Sequence, residues 1–199
     1  NSRETTARAF TKKNSLREPL ARGYSYSLMR IGIFGGSFDP VHYGHLLLAE
    51  CCREQAELDE VWFVPAAVPP HKQDQTLPAD KHRVEMLRLA IGGHEAFVLS
   101  TVETERGGVN YTYQTLEAIH SERPDDELFF LMGGDSLRDL PTWRRPERIC
   151  ELAIPLVVQR PDSPPVTFDT LTNLVPAKRV EQIKGTAAVA MPLVLAGCS

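Results

Sequence analysis

Short apolar runs alternate along this chain with longer stretches in which apolar residues recur every three or four positions. The runs lie at Ile31–Phe34, Val61–Val64, Phe97–Leu99, Leu128–Met132 and Ile154–Val158. Each is too short for a helix and lacks an in-out alternation, which predicts strands buried on both faces. The intervening stretches Leu46–Leu58, Ala79–Ile91 and Thr112–Ser121 predict helices, and in the second Val84, Leu87 and Ile91 fall on one face. Strand and helix in alternation predict an α/β fold, a doubly wound parallel sheet with right-handed crossovers. A last strand is expected within Val189–Leu195. No internal repeat or low-complexity block interrupts the pattern.

In such a sheet a ligand binds beyond the carboxyl ends of the strands. The first strand ends there in Gly35-Gly36-Ser37-Phe38-Asp39-Pro40-Val41-His42-Tyr43-Gly44-His45, which opens into the helical stretch Leu46-Leu47-Leu48-Ala49-Glu50. Strand, glycine turn and helix start together offer free backbone N–H groups to an anion. His42 and His45, three residues apart, could donate hydrogen bonds to phosphate oxygens. A dinucleotide-binding turn needs G-x-G-x-x-G, and Gly32, Gly35 and Gly36 do not have that spacing.

Three more segments follow strands and should gather at the same edge. Pro69-Pro70-His71-Lys72 is a stiff loop ending in two potential cations. Asn110-Tyr111-Thr112 starts a helix, with Thr112 the candidate N-cap and nearby N–H groups able to hold a carboxylate. Gly133-Gly134-Asp135 would let a ligand approach the backbone, with Asp135 accepting from ribose hydroxyls or orienting a metal-bound water.

Composition bounds the partners. With 199 residues at 42% hydrophobic and no apolar stretch near the roughly 18 to 20 residues of a membrane span, one compact domain off the membrane is expected. Net charge is −4, against the basic body that nucleic-acid binding would want, so phosphate binding must come from a local cluster. Cys51, Cys52, Cys150 and Cys198 form no C-x-x-C pair and read as packing residues in a reducing, cytoplasmic setting. The chain opens on Asn1, and Arg3, Arg8, Lys12, Lys13, Arg17 and Arg22 make residues 1–28 basic. They are expected to be a disordered extension, either a transit-like segment or sequence upstream of a start at Met29, and residues 29–199 the domain.

The Gly35–His45 string resembles the H-x-G-H signature of the nucleotidyltransferase superfamily in its G-G-x-F-D-P-x-H-x-G-H form. Pro69–Lys72 is similar to that family's P-P-H-K loop. Asn110–Leu116 is similar to S-Y-T-x-x-T-L, with Asn110 in the Ser position. Gly133–Trp143 is similar to G-A-D-S-L-x-x-L-P-x-W of the bacterial nicotinate-nucleotide adenylyltransferases, with Gly134 for Ala, and Arg160-Pro161 to their R-P element. The resemblance implies a Rossmann-like sheet of the nucleotidyltransferase type and adenylyl transfer from ATP to nicotinate mononucleotide in NAD biosynthesis.

It assigns catalysis to His42, His45 and Lys72. ATP is implied against Gly35, Gly36, Ser37 and Phe38 on the turn, against His42, Gly44 and His45 at the helix start, and against Lys72, Gly133, Asp135 and Arg160. The mononucleotide is implied against Ser37, Tyr111, Thr112 and Leu140, with Trp143 stacked on its pyridine ring. Mg²⁺ is implied as bound mainly through ATP, with no protein metal site. The family's closing I-S-S-T-x-I-R has no counterpart before Ser199, so the domain is expected to be truncated and its activity reduced. Two alternatives stay open: a nucleotide-binding member without turnover, and a related phosphopantetheine or cytidylyl transferase.

Overall fold

The computed structural model describes residues 28–68, 80–159, 165–186 and 188–190. Six strands form one sheet: β1 (Arg30–Gly36), β2 (Glu60–Pro65), β3 (Phe97–Leu99), β4 (Glu127–Gly133), β5 (Ala153–Gln159) and β6 (Ala188–Ala190). Their order is β3-β2-β1-β4-β5-β6, and every neighbouring pair is parallel. The chain therefore builds outward from β1 in one direction and then, from β4, in the other. The continuous apolar runs follow from that: Ile31, Ile33, Phe63, Phe129, Leu156 and Val157 are buried in strands covered on both faces.

The helices are α1 (Tyr43–Gln55), α2 (Asp80–Ile91), α3 (Val102–Arg106), α4 (Thr112–Glu122), α5 (Gly134–Asp139), α6 (Pro146–Leu152) and α7 (Ala177–Thr186). Short 3-10 turns occupy Leu140–Thr142 and Asp169–Leu171. All five predicted strands are present, though β3, expected to be buried on both faces, is only half-buried because it lies at the sheet edge and pairs with β2 alone, and the three predicted helices appear as α1, α2 and α4. The closing strand is shorter than expected among the described residues, spanning Ala188–Ala190 beside β5. Residues 191–199 lie outside them, as do residues 1–27. No described helix is long and apolar enough to cross a membrane.

The inward face of α2 differs from expectation. Its buried positions are Arg83, Leu87 and Ile91, at i, i+4 and i+8, while Val84 is only half-buried. A guanidinium thus sits where the pattern predicts an aliphatic side chain, because it has backbone acceptors to meet there. Arg83 is fully buried and donates to the carbonyls of Ser37 at 2.8 Å and Ala66 at 2.7 Å.

Candidate active site at the parted strand ends

β1 stays paired with β2 through Gly36↔Pro65, and β4 stays paired with β5 through Gly133↔Val158. Between β1 and β4 the ladder ends three residues earlier, at Ile33↔Phe130. The two central strands therefore part at their carboxyl ends, where the chain's winding reverses, and open a crevice flanked by Gly35, Gly36, Gly133 and Gly134. The protein's own packing does not demand a glycine at every one of these places. A Cβ at Gly133 would meet nothing within 4 Å, and one at Gly35 only the Phe130 ring, at 4.0 Å. The space beside these two glycines is open.

Beyond β1 the turn is tightly formed. Phe38 is 1% exposed, with its ring against Phe34, Phe63 and His45, and it takes a left-handed φ of 46°. Such a φ in a bulky residue costs on the order of 1 kcal/mol or more and persists only where surrounding contacts enforce it. Phe38 therefore offers the crevice only its backbone, while half-buried Ser37 and exposed Gly35 remain accessible.

His42 caps α1 in extended conformation (φ −146°, ψ 171°), and no acidic residue occupies the first turn. The positive end of a 13-residue helix is thereby left uncompensated beside the crevice. The His42 and His45 rings lie 3.9 Å apart at 33°. Gly44 permits this, since a Cβ there would come within 3.0 Å of the His42 ring. The His42 backbone N–H donates to Nδ1 of His45 at 3.3 Å. Burial first, and then the neighbouring His42, push the His45 imidazole down to about 4. His45 is thus neutral at pH 7, and with Nδ1 accepting, its one proton rests on Nε2. The half-buried ring is a fixed hydrogen-bond donor rather than a cation.

The other half of the site is built from α4 and the segment after β4. Tyr111, not Thr112, caps α4: its N–H is taken by the Gln114 side chain at 3.1 Å, making Thr112 the first helical residue. Thr112 is intrinsically the better cap, but Gln114 reaches back to the preceding residue and sets the start there. Leu140 is 0% exposed, so its side chain belongs to the core and offers no surface to a substrate. Its carbonyl instead accepts the Trp143 N–H at 3.0 Å and fixes the indole, which stands edge-on to Phe130 at 6.1 Å. Phe130 thus lies between Gly35 and Trp143 and connects the two halves.

Arg144 and Arg145, immediately after Trp143, were not singled out from the sequence. Their guanidinium groups lie over the rings of Tyr111, at 4.8 Å, and Tyr113, at 5.2 Å. With Arg148 bonded to Glu117 at 2.9 Å, they make the Trp143 segment and the start of α4 one unit. Asp135 is in the first turn of α5 with its side chain 86% exposed, paired with Arg138 at 3.2 Å. Its carboxylate faces solvent. Lys72, with the Pro69–His71 loop, and Arg160 lie outside the described residues. No group of three or more His, Cys, Asp or Glu among the described residues could hold a metal ion.

Comparison with known proteins agrees with this geometry. A model of the "Cytidylyltransferase-like" family matches residues 33–190. The "Probable nicotinate-nucleotide adenylyltransferase" of Thermomicrobium roseum is 47% identical over 152 residues, covering 76% of this chain and 71% of that protein. The nicotinate-nucleotide adenylyltransferase of Bacillus subtilis is 46% identical over 134 residues, 67% of this chain and 71% of that one. Among solved structures, the nicotinic acid mononucleotide adenylyltransferase of Plasmodium falciparum complexed with NaAD superposes with a TM-score of 0.61 at 21% identity, covering 82% of this chain and 76% of its own. At that identity the likeness concerns the fold.

Proposed function

Because this chain belongs to the nicotinate-nucleotide adenylyltransferase family, within the cytidylyltransferase-like group, we propose that it transfers the adenylyl group of ATP to nicotinate mononucleotide. The products are deamido-NAD and pyrophosphate, a step of NAD biosynthesis. The observation that carries the assignment to these residues is the crevice between β1 and β4, with the paired imidazoles on one side and the Trp143 and Tyr111 unit on the other.

One phosphate oxygen of the mononucleotide bonds to the α-phosphorus of ATP as the bond from that phosphorus to the bridging oxygen breaks, and the electron pair leaves with pyrophosphate. A phosphate monoester with a second pKa near 6 is largely dianionic at pH 7, so no general base is required. The protein's task is in-line positioning and stabilisation of charge on the transferring and leaving groups. In this reading the Nε2–H of His45, His42, and the N-terminal N–H groups of α1 meet the phosphates, joined by Lys72 and Arg160. Asp135 takes the ribose hydroxyls. Trp143 stacks on the pyridine ring, and the N-terminal N–H groups of α4 near Thr112 hold its carboxylate. Magnesium enters as part of the ATP complex, held through phosphate oxygens and water rather than by a protein cage. A cytoplasmic setting accords with free thiols at Cys51, Cys52 and Cys150.

The test is product formation by the purified chain given MgATP and nicotinate mononucleotide, followed as deamido-NAD and pyrophosphate. Formation that requires both substrates supports the reading. Turnover only with phosphopantetheine, or with CTP and a phosphoryl alcohol, would replace it with the related transferases.

A further inference from the structure

Arg83 occupies a position that an aliphatic side chain would fill at no electrostatic cost. It is 0% exposed, one turn before Leu87 on the inward face of α2. Burying a guanidinium is expensive unless every donor is used. Arg83 uses its donors across two separate strand ends. Nη1 donates to the Ser37 carbonyl at 2.8 Å, and Nη2 to those of Ala66 at 2.7 Å and Ala67 at 3.3 Å. Its ion-pair partner Asp80, on its own helix, is 43% exposed, so the pair is not itself a buried one.

The two segments it joins both matter to the site. Ser37 stands between Gly36, the last residue of β1, and Phe38 with its left-handed backbone. Ala66 and Ala67 are the first residues beyond β2, and the Ala66 N–H already donates to the Gly36 carbonyl at 2.9 Å. A second buried polar residue grips the same segment. The Glu103 carboxylate accepts the Ala67 N–H and, at 2.7 Å, the Thr115 hydroxyl on α4. A chain of buried contacts thus runs from the phosphate turn through Arg83, Ala67 and Glu103 to α4.

We infer that Arg83 is a positioning residue for adenylyl transfer, holding the turn at Ser37 and the β2 exit at Ala66–Ala67 in one fixed arrangement so that ATP is presented in line to the second substrate. This deepens the proposed function and rests on it. Arg83, fully buried, acts through the backbone it holds. Its removal should therefore act chiefly on the ATP side: the Glu103–Thr115 contact to α4 stays in place, and Phe130, Arg144 and Arg145 support the Trp143 and Tyr111 unit separately, so that the mononucleotide still binds.

Arg83→Met keeps the apolar length and removes the donors, Arg83→Lys keeps one charge on a single nitrogen, and Ile183→Ala, in fully buried surroundings on α7, is a control destabilised away from the site. Three quantities are measured well below each variant's Tm: steady-state kinetics, calorimetric MgATP affinity, and amide hydrogen exchange at residues 36–38 and 66–67. For Arg83→Met, kcat should fall about 10²-fold, the loss that an ångström of misplacement can cause. ATP should bind at least about tenfold more weakly, and KM for the mononucleotide should stay within about threefold. Exchange should accelerate at those two segments in Arg83→Met and not in Ile183→Ala. Arg83→Lys should show a smaller loss of the same kind, and it decides the matter if the Met variant fails to fold. A kcat and ATP affinity equal to wild type in either Arg83 variant, or equal exchange in Arg83→Met and Ile183→Ala, would overturn the inference. The exchange comparison uses no nucleotide, so a wild-type chain that turns over no mononucleotide would reject the functional reading while exchange and ATP affinity still judge Arg83.

Discussion

His45 illustrates how one side chain's surroundings set its chemistry. Its pKa is lowered to about 4, chiefly by burial, so the folded state prefers the neutral ring while the unfolded chain protonates near 6.5. Between those values the unfolded chain binds more protons, so stability must fall as pH drops from about 6.5 to about 4. Because the ring is only half-buried, solvent screening leaves roughly 1 to 2 kcal/mol of the full shift, visible as a Tm decline that His45→Gln should lessen. In catalysis His45→Ala should lower kcat by roughly 10² or more, the usual loss of about 3 to 4 kcal/mol when a donor to developing charge is removed. Trp143→Ala should act instead mainly on KM for the mononucleotide, since stacking contributes about 1 to 3 kcal/mol to ground and transition states alike. Steady-state kinetics of both variants checks the division; full turnover in His45→Ala would defeat the proposed role.

At the scale of elements, the start of α1 trades stability for geometry. Gly44 sits in its first turn at ordinary backbone angles, where Ala would favour the helix by about 0.5 to 1 kcal/mol. The added Cβ would also push the exposed His42 ring away from its tilted contact with the His45 ring. Gly44→Ala should therefore raise or preserve Tm while lowering kcat severalfold, a pairing of opposite signs that thermal unfolding and kinetics would reveal together. The strands were legible beforehand because burial on both faces leaves no polar interruption, as in β5. α3, α5 and α6 were not, since five to seven residues span too few turns to show a period. Arg83 and Glu103 escaped notice because a charged residue in a periodic stretch reads as solvent-facing until the backbone acceptors and donors that bury it are known. The phosphate turn was readable because its glycines and imidazoles are adjacent in sequence, whereas Arg144 and Arg145 gain meaning only once α6 is packed on α4.

At the scale of the whole molecule, the proposed specificity depends on bringing the α4 start and the Trp143 segment to the same crevice as the phosphate turn. The pyridine substituent of a mononucleotide stacked on Trp143 would meet the first-turn N–H groups of α4 at Thr112 and Tyr113, within a neighbourhood that also holds the Arg144 guanidinium over Tyr111. The positive end of that helix has no acidic residue in its first turn to neutralise it. A carboxylate there gains charge-assisted hydrogen bonds that are roughly twice as strong as those a neutral amide can accept, and the amide's own NH₂ group would face donors. Nicotinate mononucleotide should accordingly be preferred over nicotinamide mononucleotide by at least about tenfold in kcat/KM, the equivalent of one charge-assisted bond at about 1.4 kcal/mol per decade. Arg144→Ala should narrow that ratio without changing KM for ATP, because Arg144 stands on the mononucleotide side of the crevice. Competition between the two mononucleotides at fixed ATP measures the ratio directly. Equal use of both by the wild-type chain would mean that the start of α4 does not face the pyridine ring, and that Trp143 alone positions it.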